Sequence, residues 1–137
     1  MKFASETAER SIREIHETAT VALGRGDLNA LMDSYTDDVI SLPPDQPALS
    51  GKDAVRSMWE DLLADFAVEV SVSVDEVMVA GPWAYERGTF EMKLSPREGG
   101  APVEDRGKYL DILHWQADGS WKYSRVSWSS SLPGPGS

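Results

Sequence analysis

The chain has 137 residues, which is enough for one domain of ordinary size and leaves little room for a second. Its balance of 41% hydrophobic and 26% charged residues is typical of a globular protein, and the absence of cysteine excludes a disulfide scaffold, a thiolate zinc site and a cysteine nucleophile. The net charge of −10 disfavours binding to nucleic acid or to an anionic membrane surface.

Histidine is almost as scarce as cysteine. His16 and His114 are the only imidazoles, so a three-histidine metal site is excluded, and the sequence contains no glycine-rich phosphate loop and no nucleophile elbow. We therefore predict no metal and no cofactor. The amino terminus lacks the apolar stretch of a signal peptide, and no apolar run approaches the ~20 residues of a membrane span, which predicts a cytoplasmic protein.

Apolar residues recur at helical spacing in three segments of the first half of the chain. In the first segment they form one helix face, made of Ala8, Ile12, Ile15, Ala19 and Ala22. Two glycines end this helix, and Asp27 is predicted to cap a second, short helix that carries Tyr35. After a proline-rich stretch, Ser50 is predicted to cap a third helix that extends to Phe66.

From residue 68 onward the apolar period changes from 3.6 to 2, which indicates β-strands. The predicted strands are, in chain order, 39–42, 68–74 continued by 77–80, 83–94, 103–115 and 121–130. The first of them follows a solvated turn at Asp37 and Asp38. This order predicts a single α+β domain over 1–132, in which three N-terminal helices pack into a strongly curved antiparallel sheet, followed by a disordered tail over 133–137.

Short motifs are spread over most of the chain, from about residue 8 to residue 132. They are Gly26-Asp27-Leu28, Tyr35-Thr36-Asp37-Asp38, Ser50-Gly51-Lys52-Asp53, Ala84-Tyr85-Glu86-Arg87-Gly88, Arg106-Gly107-Lys108-Tyr109-Leu110 and Asp118-Gly119-Ser120-Trp121-Lys122. Together they resemble the nuclear-transport-factor-2-like (NTF2-like) superfamily. Within it, the chain is most similar to the SnoaL-like and ketosteroid-isomerase-like branches, particularly the domain of unknown function DUF4440.

The resemblance implies a cone-shaped α+β fold that encloses a pocket, usually in a homodimer. It implies less about the reaction, because proteins with this fold include many different enzymes and non-enzymatic modules. A ketosteroid isomerase uses a carboxylate base and an oxyanion hole of tyrosine and protonated aspartate. Those three positions fall on Pro43, Ala19 and Asp111, so only the aspartate is present and steroid isomerase chemistry is not expected. The polar pair that DUF4440 proteins often carry on the last strand falls on Val126 and Ser129.

Asp111 is the leading candidate for a functional residue because it lies within an apolar strand, Tyr109-Leu110-Asp111-Ile112-Leu113. A carboxyl group buried in such surroundings has a raised pKa and is able to donate or accept a proton. The alternative is a structural ion pair with Arg87, Arg106 or Arg125, since ion pairs also account for buried carboxylates.

Other side chains are candidates for the same pocket. His16, near the inner face of the first helix, and Tyr35 are predicted as additional catalytic groups; the alternatives are a half-exposed helix histidine and a core tyrosine. The residues predicted to bind ligand are Trp59, Tyr85, Arg87, Tyr109 and Trp128. Arg87 would clamp an anionic group if its side of the strand faced inward, but the opposite side, with Phe90, is an equally plausible core face.

We expect a small-molecule pocket protein that binds an apolar, ring-sized ligand and forms a homodimer. Whether it is also an enzyme is left open by the sequence. The chemistry would then be cofactor-free acid–base catalysis (isomerisation, cyclisation or dehydration), with Asp111 as acid or base and His16 or Tyr35 as the second group. The competing hypothesis is a non-catalytic dimeric binding or interaction module with a vestigial pocket.

Overall fold

The computed structural model describes residues 5–132. Three helices pack against one six-stranded sheet, which confirms the predicted α+β architecture. The elements are α1 (Ser5–Arg25), α2 (Leu28–Met32), β1 (Tyr35–Leu42), β2 (Leu49–Ser50), α3 (Lys52–Asp65), β3 (Phe66–Ala80), β4 (Trp83–Pro96), β5 (Val103–Trp115) and β6 (Trp121–Ser130). The tail predicted at 133–137 lies outside the described residues. Among the described helices, none is both long and apolar enough to cross a membrane.

The sheet is curved and unclosed, with strand order β2-β1-β6-β5-β4-β3. Strands β3 to β6 form an antiparallel meander, as the alternating pattern predicts. Strand β1 comes from the helical half of the chain and lies parallel to β6, with Ile40 opposite Arg125. The first and last strands of the chain are therefore joined near one edge, and the helices are held over the inner face of the sheet.

The core lies between helix α1 and the inner face of the sheet. Four of the five residues of the predicted apolar stripe are buried and Ile15 is partly buried; Ile12 is completely inaccessible. Burying one such side chain stabilises the fold by about 1.5–3 kcal/mol. Helix α1 is consequently fixed against β3, and its side chains stand at defined positions over the sheet.

Three local predictions in the first half are wrong, and strand pairing is the reason in each. Tyr35, predicted on the second helix, begins β1, where it pairs with Tyr123; Asp37 and Asp38, predicted in a turn, belong to the same strand. Phe66, predicted on the third helix, begins β3 and pairs with β4. In each case, pairing with a distant strand overrides the local sequence pattern, which is helical at Tyr35 and Phe66 and turn-like at Asp37 and Asp38.

The two predicted helix caps have different outcomes. The Asp27 side chain accepts a hydrogen bond from the Ala30 backbone N–H, which confirms it as the cap of α2. At α3 the cap position is occupied by Gly51 instead of Ser50, and no side chain caps the helix. Gly51 has a φ of +93°, a conformation that an L side chain rarely adopts, so glycine allows the chain to turn into the helix here.

A glycine on the inner side of β4 allows a close approach of the neighbouring strand. A Cβ atom at Gly88 would lie 1.9 Å from the carbonyl oxygen of Ser73. It would also lie 3.0 Å from the hydroxyl oxygen of Tyr109. The lack of a side chain therefore lets β3 and β4 pack tightly beside the cavity described below.

Candidate functional site

The inner face of the sheet and helices α1 and α3 line a cavity of about 140 Å³ that is open to the surface. Its surface is predominantly apolar, and its aromatic lining residues are Tyr35, Trp59, Phe90, Tyr109, Tyr123 and Trp128. Two rings form a stacked pair on one wall, with the centroids of Trp59 and Trp128 6.2 Å apart. An apolar cavity of about 150 Å³ holds a molecule the size of benzene, so this volume suits one six-membered ring.

A hydrogen-bonded cluster of three side chains lies at the polar end of the cavity. Nδ1 of His16 is 2.6 Å from Oε1 of Glu86 and 2.9 Å from the hydroxyl oxygen of Tyr123. The Tyr123 hydroxyl donates to the same Glu86 oxygen at 3.0 Å. Helix α1 and strands β4 and β6 each contribute one member, and Glu86 is completely buried. Packing of α1 against the sheet thus assembles the cluster.

The contacts within this cluster define the role of each nitrogen of His16. A carboxylate can only accept hydrogen bonds, so with Glu86 ionised the hydrogen of a neutral His16 ring belongs on Nδ1. Nε2 then carries the free lone pair, and it has no hydrogen-bond partner within residues 5–132. The Tyr109 ring stacks on the imidazole with centroids 5.4 Å apart and helps to fix its orientation. His16 is therefore arranged as a base with an available nitrogen.

Asp111 lies on β5 directly opposite Glu86 on β4, and it lines the cavity. Burial raises the pKa of its carboxyl well above the ordinary value, and the negative charge of Glu86 raises it further. A backbone hydrogen bond from Ser127 acts in the opposite direction but does not cancel these effects. Asp111 consequently keeps its proton over a pH range in which an exposed aspartate is ionised, and it is a candidate proton donor.

His16, Glu86 and Asp111 stand close enough to surround one ion, because one ligating atom from each lies within 4.8 Å of the others. In the described part of the chain this is the one such group of histidine and carboxylate side chains. A metal ion bound by all three side chains would have to displace the proton on Asp111. The arrangement therefore fits proton transfer more directly than metal binding.

Most of the predicted site residues meet at this cavity. It is lined by six of them: His16, Tyr35, Trp59, Tyr109, Asp111 and Trp128. Burial raises the pKa of the Tyr35 hydroxyl strongly, so this phenol stays neutral in the folded protein. The roles predicted for these side chains in binding and catalysis remain predictions.

Tyr85 and Arg87, the other two predicted ligand-binding residues, are placed elsewhere. They project from the opposite face of β4, because the inward-facing residues of this strand include Glu86 and Gly88 and side chains alternate between the faces. On the outer face, both donate hydrogen bonds to Oε1 of Glu76, at 2.9 Å each. Neither lines the cavity, so their assignment to this site is not supported.

The arginines proposed as ion-pair partners of Asp111 are engaged elsewhere or point away. Arg87 forms an ion pair with Glu76, and Arg125 donates to the carbonyl oxygens of Asp38 and Ser124. Within residues 5–132, no salt bridge to Asp111 is present. The carboxyl group of Asp111 therefore faces Glu86 instead of a positive charge.

The SnoaL-like domain matches residues 15–124, which include the second half of α1, most of the sheet and all members of the cluster. The chain belongs to the SnoaL-like family. The DUF4440 branch suggested by the short motifs stays a prediction. No curated protein matches this sequence.

Several solved structures share the fold of this SnoaL-like protein over nearly their whole length. A conserved protein from Planctomyces limnophilus is 27% identical, with a TM-score of 0.85 over 91% of this chain and 98% of that one. A ketosteroid isomerase-like protein from Erwinia carotovora atroseptica is 25% identical, with a TM-score of 0.82 over 90% and 96%. A candidate dehydratase of the NTF2-like family from Streptomyces avermitilis is 20% identical, with a TM-score of 0.83 over 93% and 99%. The predicted NTF2-like fold is thereby confirmed.

Sequence reasoning missed two members of the SnoaL-like protein's polar cluster, Glu86 and Tyr123. The sequence contains a signal for Glu86, because alternate residues of a strand lie on the same face and Glu86 alternates with the apolar residues Ala84 and Phe90. An acidic residue on such a face requires a partner. That partner is His16, which is 70 positions away in the chain, and no local pattern connects the two.

Proposed function

We propose that this SnoaL-like protein binds one small, apolar, ring-sized molecule and catalyses a cofactor-free proton transfer on it. The observation that carries the proposal is the position of the His16–Glu86 pair and Asp111 at one end of an otherwise apolar cavity. Perturbed carboxyl groups next to a histidine base, in a cavity of ligand size, are the features expected of an acid–base site.

The proposed reaction starts with a carbonyl compound whose oxygen points at Asp111. Asp111, kept protonated by burial, donates a hydrogen bond or a proton to that oxygen. His16 removes a proton from the adjacent carbon, and Glu86 stabilises the imidazolium that forms. The product is an enol. The imidazolium returns its proton to another carbon to give an isomer, or gives it to a hydroxyl group on the carbon beside the enol double bond, which leaves as water. In both cases the enol hydrogen returns to Asp111 as the carbonyl forms again.

The names of similar structures support this reaction class. One is described as ketosteroid isomerase-like and another as a candidate dehydratase, and isomerisation and dehydration are the two outcomes of the proposed enol. The apolar walls formed by Trp59, Phe90 and Trp128 would keep bulk water away from the enol.

The test is the exchange of carbon-bound hydrogen for deuterium in a one-ring ketone. Cyclohexanone in deuterium oxide is followed by proton NMR with and without the protein. We expect a saturable increase in exchange rate, which Asp111→Asn or His16→Gln lowers about a hundredfold. Arg87→Ala is the matched control, because Arg87 lies on the outer face, and it should exchange like the unmodified protein.

The same experiment separates catalysis from binding. If cyclohexanone shifts the NMR signals of cavity residues while its exchange rate stays at the buffer value, the catalytic part is refuted and the non-catalytic binding module is favoured. If neither binding nor exchange is observed, the pocket proposal itself fails for a ligand of this size.

We also propose that the protein is a homodimer, through the outer face of the sheet. Four large apolar side chains are exposed there on neighbouring strands: Met78, Trp83, Leu110 and Ile112. The strand pairing brings Met78, Tyr85 and Ile112 into one row, and the Trp83 ring packs on His114 with centroids 4.2 Å apart. Sedimentation analysis should give a dimer that Leu110→Glu converts to a monomer; a monomeric unmodified protein would refute this proposal.

A further inference from the structure

The cavity combines aromatic walls with buried acidic groups and, among the described residues that line it, contains neither lysine nor arginine. We propose that its ligand is a small organic cation of the ammonium type, with a body no larger than one six-membered ring. This inference rests on the ligand-binding part of the proposed function, and it gives the bound ring a positive charge. With an ammonium group bound, Asp111 is ionised and does not act as the proton donor of the proposed reaction.

The charges around the cavity discriminate among ligands. Asp111 lines it and Glu86 lies directly behind, whereas the single basic group of the lining, His16, is already hydrogen-bonded to Glu86. An anionic ligand would be buried beside two carboxyl groups without a free positive partner, which is strongly unfavourable. An ammonium group would instead give the Asp111 carboxyl a positively charged partner, which no described side chain supplies.

The walls of the cavity also favour a cation. Trp59 and Trp128 form a stacked pair, and the rings of Tyr109 and Phe90 also line the cavity. Aromatic faces attract ammonium groups by about 0.5–2 kcal/mol, most strongly where water is excluded. The hydroxyl of Tyr109 is buried without a hydrogen-bond partner within residues 5–132, so it is available as an acceptor for an N–H donor.

A cation in this site competes with a proton. The groups that face Asp111 are His16 from α1, Tyr35 from β1, Glu86 from β4, Tyr109 from β5 and Tyr123 from β6. Of these, His16 alone carries a positive charge when protonated. Arrival of an ammonium group would therefore favour ionisation of Asp111, and binding would release up to one proton.

The test compares three ligands of nearly equal shape by isothermal titration calorimetry: benzylammonium, benzyl alcohol and benzoate. We expect benzylammonium to bind about tenfold more tightly than benzyl alcohol, and benzoate not to bind detectably. Titrations in two buffers with different ionisation heats should reveal proton release for benzylammonium and none for benzyl alcohol.

Variants identify the source of the preference. Asp111→Asn and Glu86→Gln each remove one buried acidic group with little change in size, and either should reduce the preference for benzylammonium to about twofold or less while benzyl alcohol still binds. Glu91→Gln, an exposed change on the same strand as Glu86, lowers the overall negative charge equally and should leave the preference unchanged.

The outcomes distinguish the two proposals. If benzyl alcohol or benzoate binds as tightly as benzylammonium, the cation proposal is refuted and the pocket remains. If Glu91→Gln removes the preference as completely as Asp111→Asn, the attraction comes from the surface charge and the proposal is again refuted. If none of the three ligands binds, the proposed pocket function fails together with it.

Discussion

Replacing Asp111 by asparagine should stabilise the protein increasingly as the pH rises. In the unfolded chain this carboxyl loses its proton near the ordinary value of about 4, whereas burial and Glu86 keep it protonated in the folded state. Between those two pKa values the folded state binds one more proton than the unfolded state. The free energy of unfolding therefore falls by up to about 1.4 kcal/mol for each unit of increasing pH.

Asparagine does not titrate, and its side-chain oxygen is able to accept the backbone hydrogen bond from Ser127 that Asp111 receives. The difference in unfolding free energy between Asp111→Asn and the unmodified protein should therefore grow with pH, by up to the same 1.4 kcal/mol per unit. For a domain of this length, 1 kcal/mol corresponds to about 4 °C in Tm.

Urea unfolding, followed by tryptophan fluorescence at several values between about pH 4 and pH 7, measures this difference. Asp61→Asn, an exposed change on α3 that also removes one carboxylate, is the control measured beside it. A constant difference for Asp111→Asn over this range, or one that shrinks as the pH rises, would refute the account of a protonated, buried carboxyl.

Two further substitutions test the packing around the cavity. Gly88→Ala should lower the free energy of unfolding by about 1–3 kcal/mol, because its Cβ atom would collide with a carbonyl oxygen of β3. Gly24 lies in α1, and a Cβ atom there would meet nothing closer than 3.9 Å. Gly24→Ala should therefore raise the free energy of unfolding by about 0.5–1 kcal/mol. Equal urea midpoints for both variants would contradict this packing. Tyr123→Phe removes a hydrogen bond to the fully buried Glu86 and should cost about 1–3 kcal/mol in the same assay; a variant as stable as the unmodified protein would show that the bond contributes little.

The fold was predictable from the sequence because its long elements have a clear period. Strands β5 and β6 begin and end where the alternating pattern predicts. Asp111 was also identifiable, since a carboxyl group between apolar neighbours draws attention without any structure.

The sequence does not predict which side chains of β4 point into the cavity, and the interpretation of the site depends on that choice. Arg87 and Glu86 are adjacent and acceptable on either side of a strand, so the local sequence leaves the choice open. The pairing of Glu86 with Asp111 across β4 and β5, and the hydrogen bond to His16 on α1, decide it. Both contacts join distant parts of the chain, which explains why a periodic pattern could not reveal the polar cluster.

The parallel pairing of β1 with β6 has a consequence for the synthesis of the protein. A ribosome makes the chain from its amino end, so α1 and β1 leave it long before their partner strand β6 exists. Until residues 121–130 emerge, β1 presents an unpaired edge, and His16 lacks the hydroxyl of Tyr123. The nascent chain therefore pairs β1 only after β6 has been made. Any delay in the synthesis of β6 lengthens the time in which a chaperone, or another unfinished chain, is able to bind the free edge of β1.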